Sequence, residues 1–273
     1  MGKFDNIIIV SDIDFTFLAK DKSIPVRNLE AIEYFQKEGG RFTFATGRAH
    51  TTLSKTFPNA KEFLNAPAVL SNGGYLYNYQ TNKMISPMFL DKEIALSVAR
   101  FIYSELPDTG MRILTPETTL YSLVNKYIEK ETTQPWAREI YTYQAPEDWT
   151  GENWFKIVVR DDPEKLDFLR SKIEKKFDGY NLELFKSEAD FFEIQREGCN
   201  KGRGIRFLKD NYFNSIPNVK IYACGDYEND LSMLLAADVA VCPSNAHDEV
   251  KKIADMCLCS CDDGVIGDLI DKL

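Results

Sequence analysis

Histidine is almost absent. Only His50 and His247 occur in 273 residues, and they lie far apart. That excludes a histidine-rich metal centre. A Ser-His-Asp triad would need one of the two, yet neither is accompanied by a nucleophile elbow or another serine-hydrolase motif. Acid–base chemistry therefore falls to carboxylates or lysine. Long apolar runs are missing too: clean stretches such as Ile7 to Val10 fall far short of the ~20 residues that span a bilayer, and no signal-peptide core follows the N-terminus. Met1-Gly2 does not open a myristoylation signal, because Asn6 stands where Ser or Thr is required. Six cysteines are too sparse for a disulfide scaffold, and without a secretion signal they are expected as reduced thiols in the cytoplasm. Positive charge is short as well. The 33 Lys+Arg against 42 Asp+Glu leave a net charge of -9, which repels nucleic-acid backbones and anionic membranes, and no basic patch reverses it. Nothing in the chain points to a protein partner.

What is present is an ordinary globular composition, 44% hydrophobic and 27% charged, which rules out a disordered or collagenous chain. At roughly 150 residues per domain, the length suits one large domain or two modest ones. Ile7 to Val10 is a β-branched run ending at Ser11-Asp12, as expected of a buried parallel strand. A helix from Val26 to Glu38 follows, closed by Gly39-Gly40. A strand from Arg41 to Ala45 ends at Thr46-Gly47-Arg48. Another, Val219 to Cys224, ends at Gly225-Asp226 before a helix near Asp230 to Ala237. Strands alternating with helices at both ends of the chain predict an α/β fold, a doubly wound parallel sheet of Rossmann-like type. The middle reads differently. After the hairpin-like stretch Tyr75 to Ile85, helices near Asp91 to Leu106 and Pro163 to Phe177 are mixed with strands near Met111 to Leu114, Thr119 to Val124, Trp154 to Val159, Leu182 to Phe185 and Phe191 to Ile194. The expected organisation is a core of residues 1–85 plus 189–273 with an α+β module, 86–188, inserted into it.

The chemistry collects at the predicted strand ends. The first strand ends in Asp12-Ile13-Asp14-Phe15-Thr16, and alternation along an extended chain would put Asp12 and Asp14 on one face. The second ends at Thr46 and the third runs into Gly225-Asp226-Tyr227-Glu228-Asn229-Asp230. Ligands of open α/β sheets bind beyond the carboxyl ends of the strands, so these groups can converge on one crevice. Read singly, each is a turn or capping residue. Together they are not: a fixed Gly-Asp-x-x-Asn-Asp is expected by chance on the order of 0.002 times in such a chain. A carboxylate cluster without histidine suits a hard cation, Mg²⁺. Such a cation would also offset the repulsion of about 5 kcal/mol per unit charge that a carboxylate meets when approaching a phosphate at ~3.5 Å.

These residues resemble the haloacid dehalogenase (HAD) superfamily of phosphohydrolases, and within it the Cof-like group. The family's four motifs stand in order as Asp12-x-Asp14-x-Thr16, Thr46-Gly47-Arg48, Lys201, and Gly225-Asp226-x-x-Asn229-Asp230, with Ser71-Asn72-Gly73-Gly74, Glu193-Ile194, Asn200-Lys201-Gly202, Asn245-Ala246 and Asp263-Gly264-Val265 as further matches. The resemblance implies a Mg²⁺-dependent phosphatase of small phosphorylated metabolites, sugar phosphates or similar, with the insert as a cap. It implies that Asp12 is the nucleophile forming an aspartyl-phosphate and Asp14 the acid and then the base. Mg²⁺ would be held by Asp12, the Asp14 backbone carbonyl and Asp226, supported by Asn229 and Asp230. Thr46 and Lys201 would hold the phosphoryl oxygens, and Arg48 either contacts substrate or makes an ion pair. A phosphomutase or phosphotransferase would use the same residues. A signalling receiver lacks both the second acid and the insert.

Three further features are expected to be structural. Phe15 stands where the family usually has glycine; alternation predicts a negative φ and a ring beside Phe17. Cys257, Cys259 and Cys261 alternate as if packing one face of a late strand. Trp136, Trp149 and Trp154 are expected in the core of the insert rather than at a site.

Overall fold

A computed structural model describes residues 2–134 and 137–273, so Trp136 lies outside the described residues. The chain divides into two compact units. One runs up to Arg48 and takes in Asn59–Ser86 and Asn200–Leu273; the other comprises Ala49–Pro58 and Pro87–Cys199. No helix among the described residues is long and apolar enough to cross a membrane.

The first unit is built on five parallel strands in the order Met256–Leu258, Val239–Pro243, Lys220–Cys224, Ile7–Ser11 and Arg41–Phe44. The strands are apolar on both faces because both are covered. Ile8, Val10, Ile221, Ala223, Ala240 and Cys242 pack with Ile205, Leu208, Met233 and Leu234 of the helices Lys201–Asn211 and Leu231–Ala236. The opposite side holds an aromatic cluster in which Phe17 lies 5.0 Å from Phe44 and 5.9 Å from Phe42 and Phe63, ring centre to ring centre. A small antiparallel sheet, Ala68–Leu70, Tyr75–Asn78 and Lys83–Ile85, continues this unit through a parallel bridge between Ala45 and Val69.

The second unit is a six-stranded sheet in the order Leu182–Glu188, Phe191–Arg196, Lys156–Arg160, Gly110–Leu114, Thr119–Tyr121 and Tyr141–Tyr143, antiparallel but for the last pair. Met111, Ile113, Ile157, Val159, Phe192 and Ile194 make a core with Trp149, Trp154 and the helices Lys92–Glu105 and Pro163–Lys176. The α+β module therefore ends at Cys199 rather than 188. Phe191–Arg196 pairs with Lys156–Arg160 on one side and Leu182–Glu188 on the other, so its hairpin cannot be shared with the parallel sheet. The helix His50–Thr56 also groups with this unit, where Lys55 pairs with Glu139.

The three late cysteines do not line a strand. Only Cys257 lies in Met256–Leu258, and it is exposed; Cys259 is half-buried, and Cys261 is buried at the start of the turn Cys261–Asp263. The strand is too short for the alternation to continue, and the Cys261 N–H donates to Asn245 Oδ1 at 2.8 Å instead of to a neighbouring strand.

Candidate active site

The first parallel strand delivers Asp12 into the site, its N–H donating to the Cys224 carbonyl at 2.8 Å and its φ of −64° and ψ of 165° still extended. The extended chain stops there. Ile13–Phe17 forms one wide turn, closed by the Leu18 N–H donating to the Ile13 carbonyl at 2.8 Å, so Asp14 is placed by the turn and not by strand alternation. Phe15 has a φ of +58°, contrary to the sequence expectation, because the turn needs a left-handed residue at that point. A bulky side chain there carries strain of roughly 1–2 kcal/mol, which accounts for the usual glycine. The ring is half-buried, and Lys22 Nζ lies over it, 4.2 Å from its centre.

Asp12, Asp226 and Asp230 come together: one carboxylate oxygen from each lies within 4.8 Å of the others, and all three residues are buried. Lys201, the first residue of its helix and fully buried, reaches into the cluster and donates to Asp12 Oδ1 and Asp230 Oδ1, each at 2.6 Å. It is no solvated helix-start residue. Asp230 Oδ2 accepts from the backbone N–H groups of Asp226 at 2.8 Å and Tyr227 at 3.2 Å, while Thr16 Oγ1 donates to Asp226 Oδ1 at 2.8 Å. Two glycines make these approaches possible. A Cβ on Gly225 would stand 2.5 Å from Asp230 Cγ, and one on Gly73, whose φ is +89°, 2.0 Å from the Asn200 carbonyl next to Lys201. The turn that seats Thr46 is held by the same stretch. The Thr46 carbonyl accepts from Asn72 N–H at 2.9 Å and the Arg48 carbonyl from Ser71 N–H at 3.0 Å. Asn229 Nδ2 donates to Asn72 Oδ1 at 3.2 Å. A Cβ on Gly47 would press on that same Asn72 amide at 3.1 Å.

The electrostatics of this cluster are unbalanced. Three carboxylates face one ammonium, a formal sum of −2 in a buried pocket. Burial first, and then the charges of Asp230 and Asp14, push the Asp12 carboxyl up to about 7 against the opposing pull of Lys201. Burial first, and then the charges of Asp230 and Asp12, raise Asp226 well above the ordinary carboxylate range. Asp14 goes the other way: burial alone would raise it, but the Arg48 guanidinium, with help from Lys22, holds it below its usual value. Hard oxygen donors carrying excess negative charge fit a divalent cation. Asp12 and Asp226 are the carboxylates best suited to hold it, since both Asp230 oxygens already accept hydrogen bonds from Lys201 and the backbone.

A family profile for haloacid dehalogenase-like hydrolases matches residues 9–270. The chain belongs to that family. Its motifs place it in the Cof-like group, and it is an enzyme, a hydrolase of the phosphatase class. It is 26% identical over 260 residues to pyridoxal phosphate phosphatase YbhA of Escherichia coli strain K12, covering 91% of this chain and 92% of that one. It is 27% identical over 289 residues to 5-amino-6-(5-phospho-D-ribitylamino)uracil phosphatase YwtE of Bacillus subtilis strain 168, covering 97% of each. A crystal structure of a haloacid dehalogenase-like hydrolase from Bacteroides thetaiotaomicron shares the fold, with a TM-score of 0.80 over 99% of both chains at 23% identity.

Asn72 and Asn245 stand in the sequence only as motif matches, and Lys22 belongs to no motif. Asn72 ties Thr46 to Asn229. Asn245 Nδ2 donates to the Phe15 carbonyl at 2.9 Å and so fixes the strained turn. No spacing rule finds Lys22, because its reach to Asp14 depends on a turn eight residues on.

Proposed function

We propose that the protein hydrolyses small phosphate monoesters in a Mg²⁺-dependent reaction through an aspartyl-phosphate on Asp12. The observation that carries the reading is the buried cluster of Asp12, Asp226 and Asp230 with Lys201 in its midst, a set of groups short of two positive charges. The cation would be held by Asp12, Asp226 and the Asp14 backbone carbonyl, with Asp230 supporting through Lys201 and Asn229 through Asn72. When bound, it supplies Lewis-acid polarisation of the phosphoryl group and cancels the repulsion between the nucleophile and its anionic target.

The chain's own residues then have separable tasks. Lys201 holds the Asp12 carboxylate in place and offers its ammonium to a phosphoryl oxygen, a donor fixed before substrate arrives. Thr46, locked by Asn72, presents a hydroxyl and the Gly47-Arg48 backbone to the same oxygens. An Asp12 oxygen attacks phosphorus and displaces the leaving oxygen; Asp14, once it has given up a bond to its cations and taken up a proton, gives that proton to the leaving oxygen and takes one back from the water that hydrolyses the acyl phosphate. Residues 87–199 are assigned the selection of the leaving group, as the family resemblance implies for the insert. The class of substrate is supported by YbhA and YwtE, both named for phosphate esters of small metabolites.

The test is phosphate release from a panel of phosphorylated metabolites with Mg²⁺ and with a chelator, for the wild type and Asp12→Asn. Release that needs Mg²⁺, needs no acceptor alcohol and falls at least about 10³-fold in Asp12→Asn is expected. A variant keeping a tenth of wild-type turnover contradicts the nucleophile assignment, and dependence on an acceptor hydroxyl marks a phosphotransferase instead.

A further inference from the structure

Asp14 is gripped from three directions. Arg48 donates from Nε to Oδ2 at 3.0 Å and from Nη2 to Oδ1 at 2.7 Å, and Lys22 Nζ adds a bond to Oδ1 at 2.9 Å. These three groups sum formally to +1, the opposite sign to the carboxylate cluster beside them. The position of Lys22 is built rather than incidental. Its φ is +70°, and it sits in a tight turn in which the Ala19 N–H donates to the Ser23 carbonyl and the Lys22 N–H to the Ala19 carbonyl, each at 2.9 Å. Its ammonium rests on the face of the Phe15 ring, a cation–π seat that a glycine at that position would not provide.

We propose that Lys22 is a specificity-determining residue that selects phosphate esters whose leaving group carries a carboxylate or a second phosphate close to the ester oxygen. The inference rests on the phosphatase reading above, with Asp14 serving the leaving oxygen. Both Asp14 oxygens accept bonds from cations, so turning either of them to a leaving group breaks at least one bond. A cation that loses its acceptor in a partly enclosed site costs about 1–3 kcal/mol. Lys22 is the cation that lets go: it makes one bond to Asp14 where Arg48 makes two, and its side chain is 51% exposed against 20%. A neutral polyol returns only weak acceptors to the ammonium. An anionic group returns charge-assisted bonds and cancels the net +1.

The experiment measures kcat/KM of the full-length, Mg²⁺-supplied enzyme for a matched pair, 2-phosphoglycolate and 2-hydroxyethyl phosphate, which differ by a carboxylate against a hydroxymethyl group. The wild type should favour phosphoglycolate by about tenfold or more, and Lys22→Gln should lower that ratio about tenfold, mainly through KM, while Lys22→Arg retains it. The ratio cancels any loss common to both substrates. Equal kcat/KM values in the wild type, or a ratio unchanged in Lys22→Gln, overturn the proposal. So does cleavage of p-nitrophenyl phosphate with neither member of the pair accepted. Release from none of the three overturns the phosphatase reading itself and takes this inference with it.

Discussion

Each unit carries an enclosed cluster of charge, and the two are organised on opposite principles. In the second unit, Glu131 pairs with both Arg112 and Arg160, Arg160 also pairs with Asp190, and the two guanidiniums lie over the Phe191 ring at 5.4 and 3.6 Å. Lys156 pairs with Glu193 nearby on the same sheet. Every positive charge there has its negative partner, and the sum is zero. In the first unit Lys201 stands against Asp12, Asp226 and Asp230, and burial together with repulsion among the carboxylates raises Asp12 and Asp226. Burial by itself therefore marks neither cluster as a site. An ion network that balances is a means of burying polar strands; one that leaves charge over in a buried place is relieved by holding protons or by a bound cation.

The sharpest way to break this comparison is to remove one member from each cluster. Lys201→Met, measured by chemical denaturation without divalent cation, is expected to cost about 3–5 kcal/mol, and Mg²⁺ should return part of it by neutralising the stranded carboxylates. Glu131→Gln is expected to cost an amount near the lower end of that range, with no recovery by Mg²⁺ beyond the wild-type shift. Equal responses of the two variants to Mg²⁺ would erase the distinction.

A smaller effect follows from pH. Asp12 and Asp226 keep their protons to higher pH in the folded chain than at the ordinary value of 3.8, Asp12 to about 7. Over that window the cation-free fold binds more protons than the unfolded chain, so its stability falls as pH rises from about 4 to 7. Asp14, held low, has the opposite sign, and its contribution is lost only as pH falls below the ordinary carboxylate value. The melting temperature without metal should thus drop between pH 5 and 7.5, and Mg²⁺ should raise it more at the upper pH. A melting temperature that climbs through this range without metal would contradict the charge assignment.

The smallest effect expected is at Phe15. Relief of left-handed strain in Phe15→Gly is opposed by the extra freedom of glycine in the unfolded chain, so denaturation should register a net change under about 1 kcal/mol. A loss well above that would mean that the ring contributes packing beyond its contact with Lys22.

The parallel strands were legible in the sequence because sheet strands covered on both faces read as unbroken apolar runs, as Ile7–Ser11 and Lys220–Cys224 do. The meeting of Asp12 and Asp226 followed from strand ends converging at one edge of such a sheet, whereas Lys201, at the start of a helix, was marked only by the family resemblance. Three things were not legible. The left-handed Phe15 and the wide turn Ile13–Phe17 depend on Asn245 bonding from a distant strand end, which local alternation cannot register. The end of the second unit at Cys199 depends on strand pairing, and an apolar run such as Phe191–Arg196 suits either sheet until its neighbours are known. The cysteine spacing promised a longer strand than Met256–Leu258, because a three-residue strand and the turn after it leave the same pattern in sequence.

The central claim is that the charge left over at Asp12, Asp226 and Asp230 is the seat of a divalent cation. Calorimetric titration of metal-free protein with Mg²⁺ at pH 7.5, wild type beside Asp226→Asn, tests it most directly. One binding event per chain in the wild type, weakened at least about tenfold in the variant, is the predicted result. No binding by the wild type, or equal binding by a folded Asp226→Asn, would contradict it.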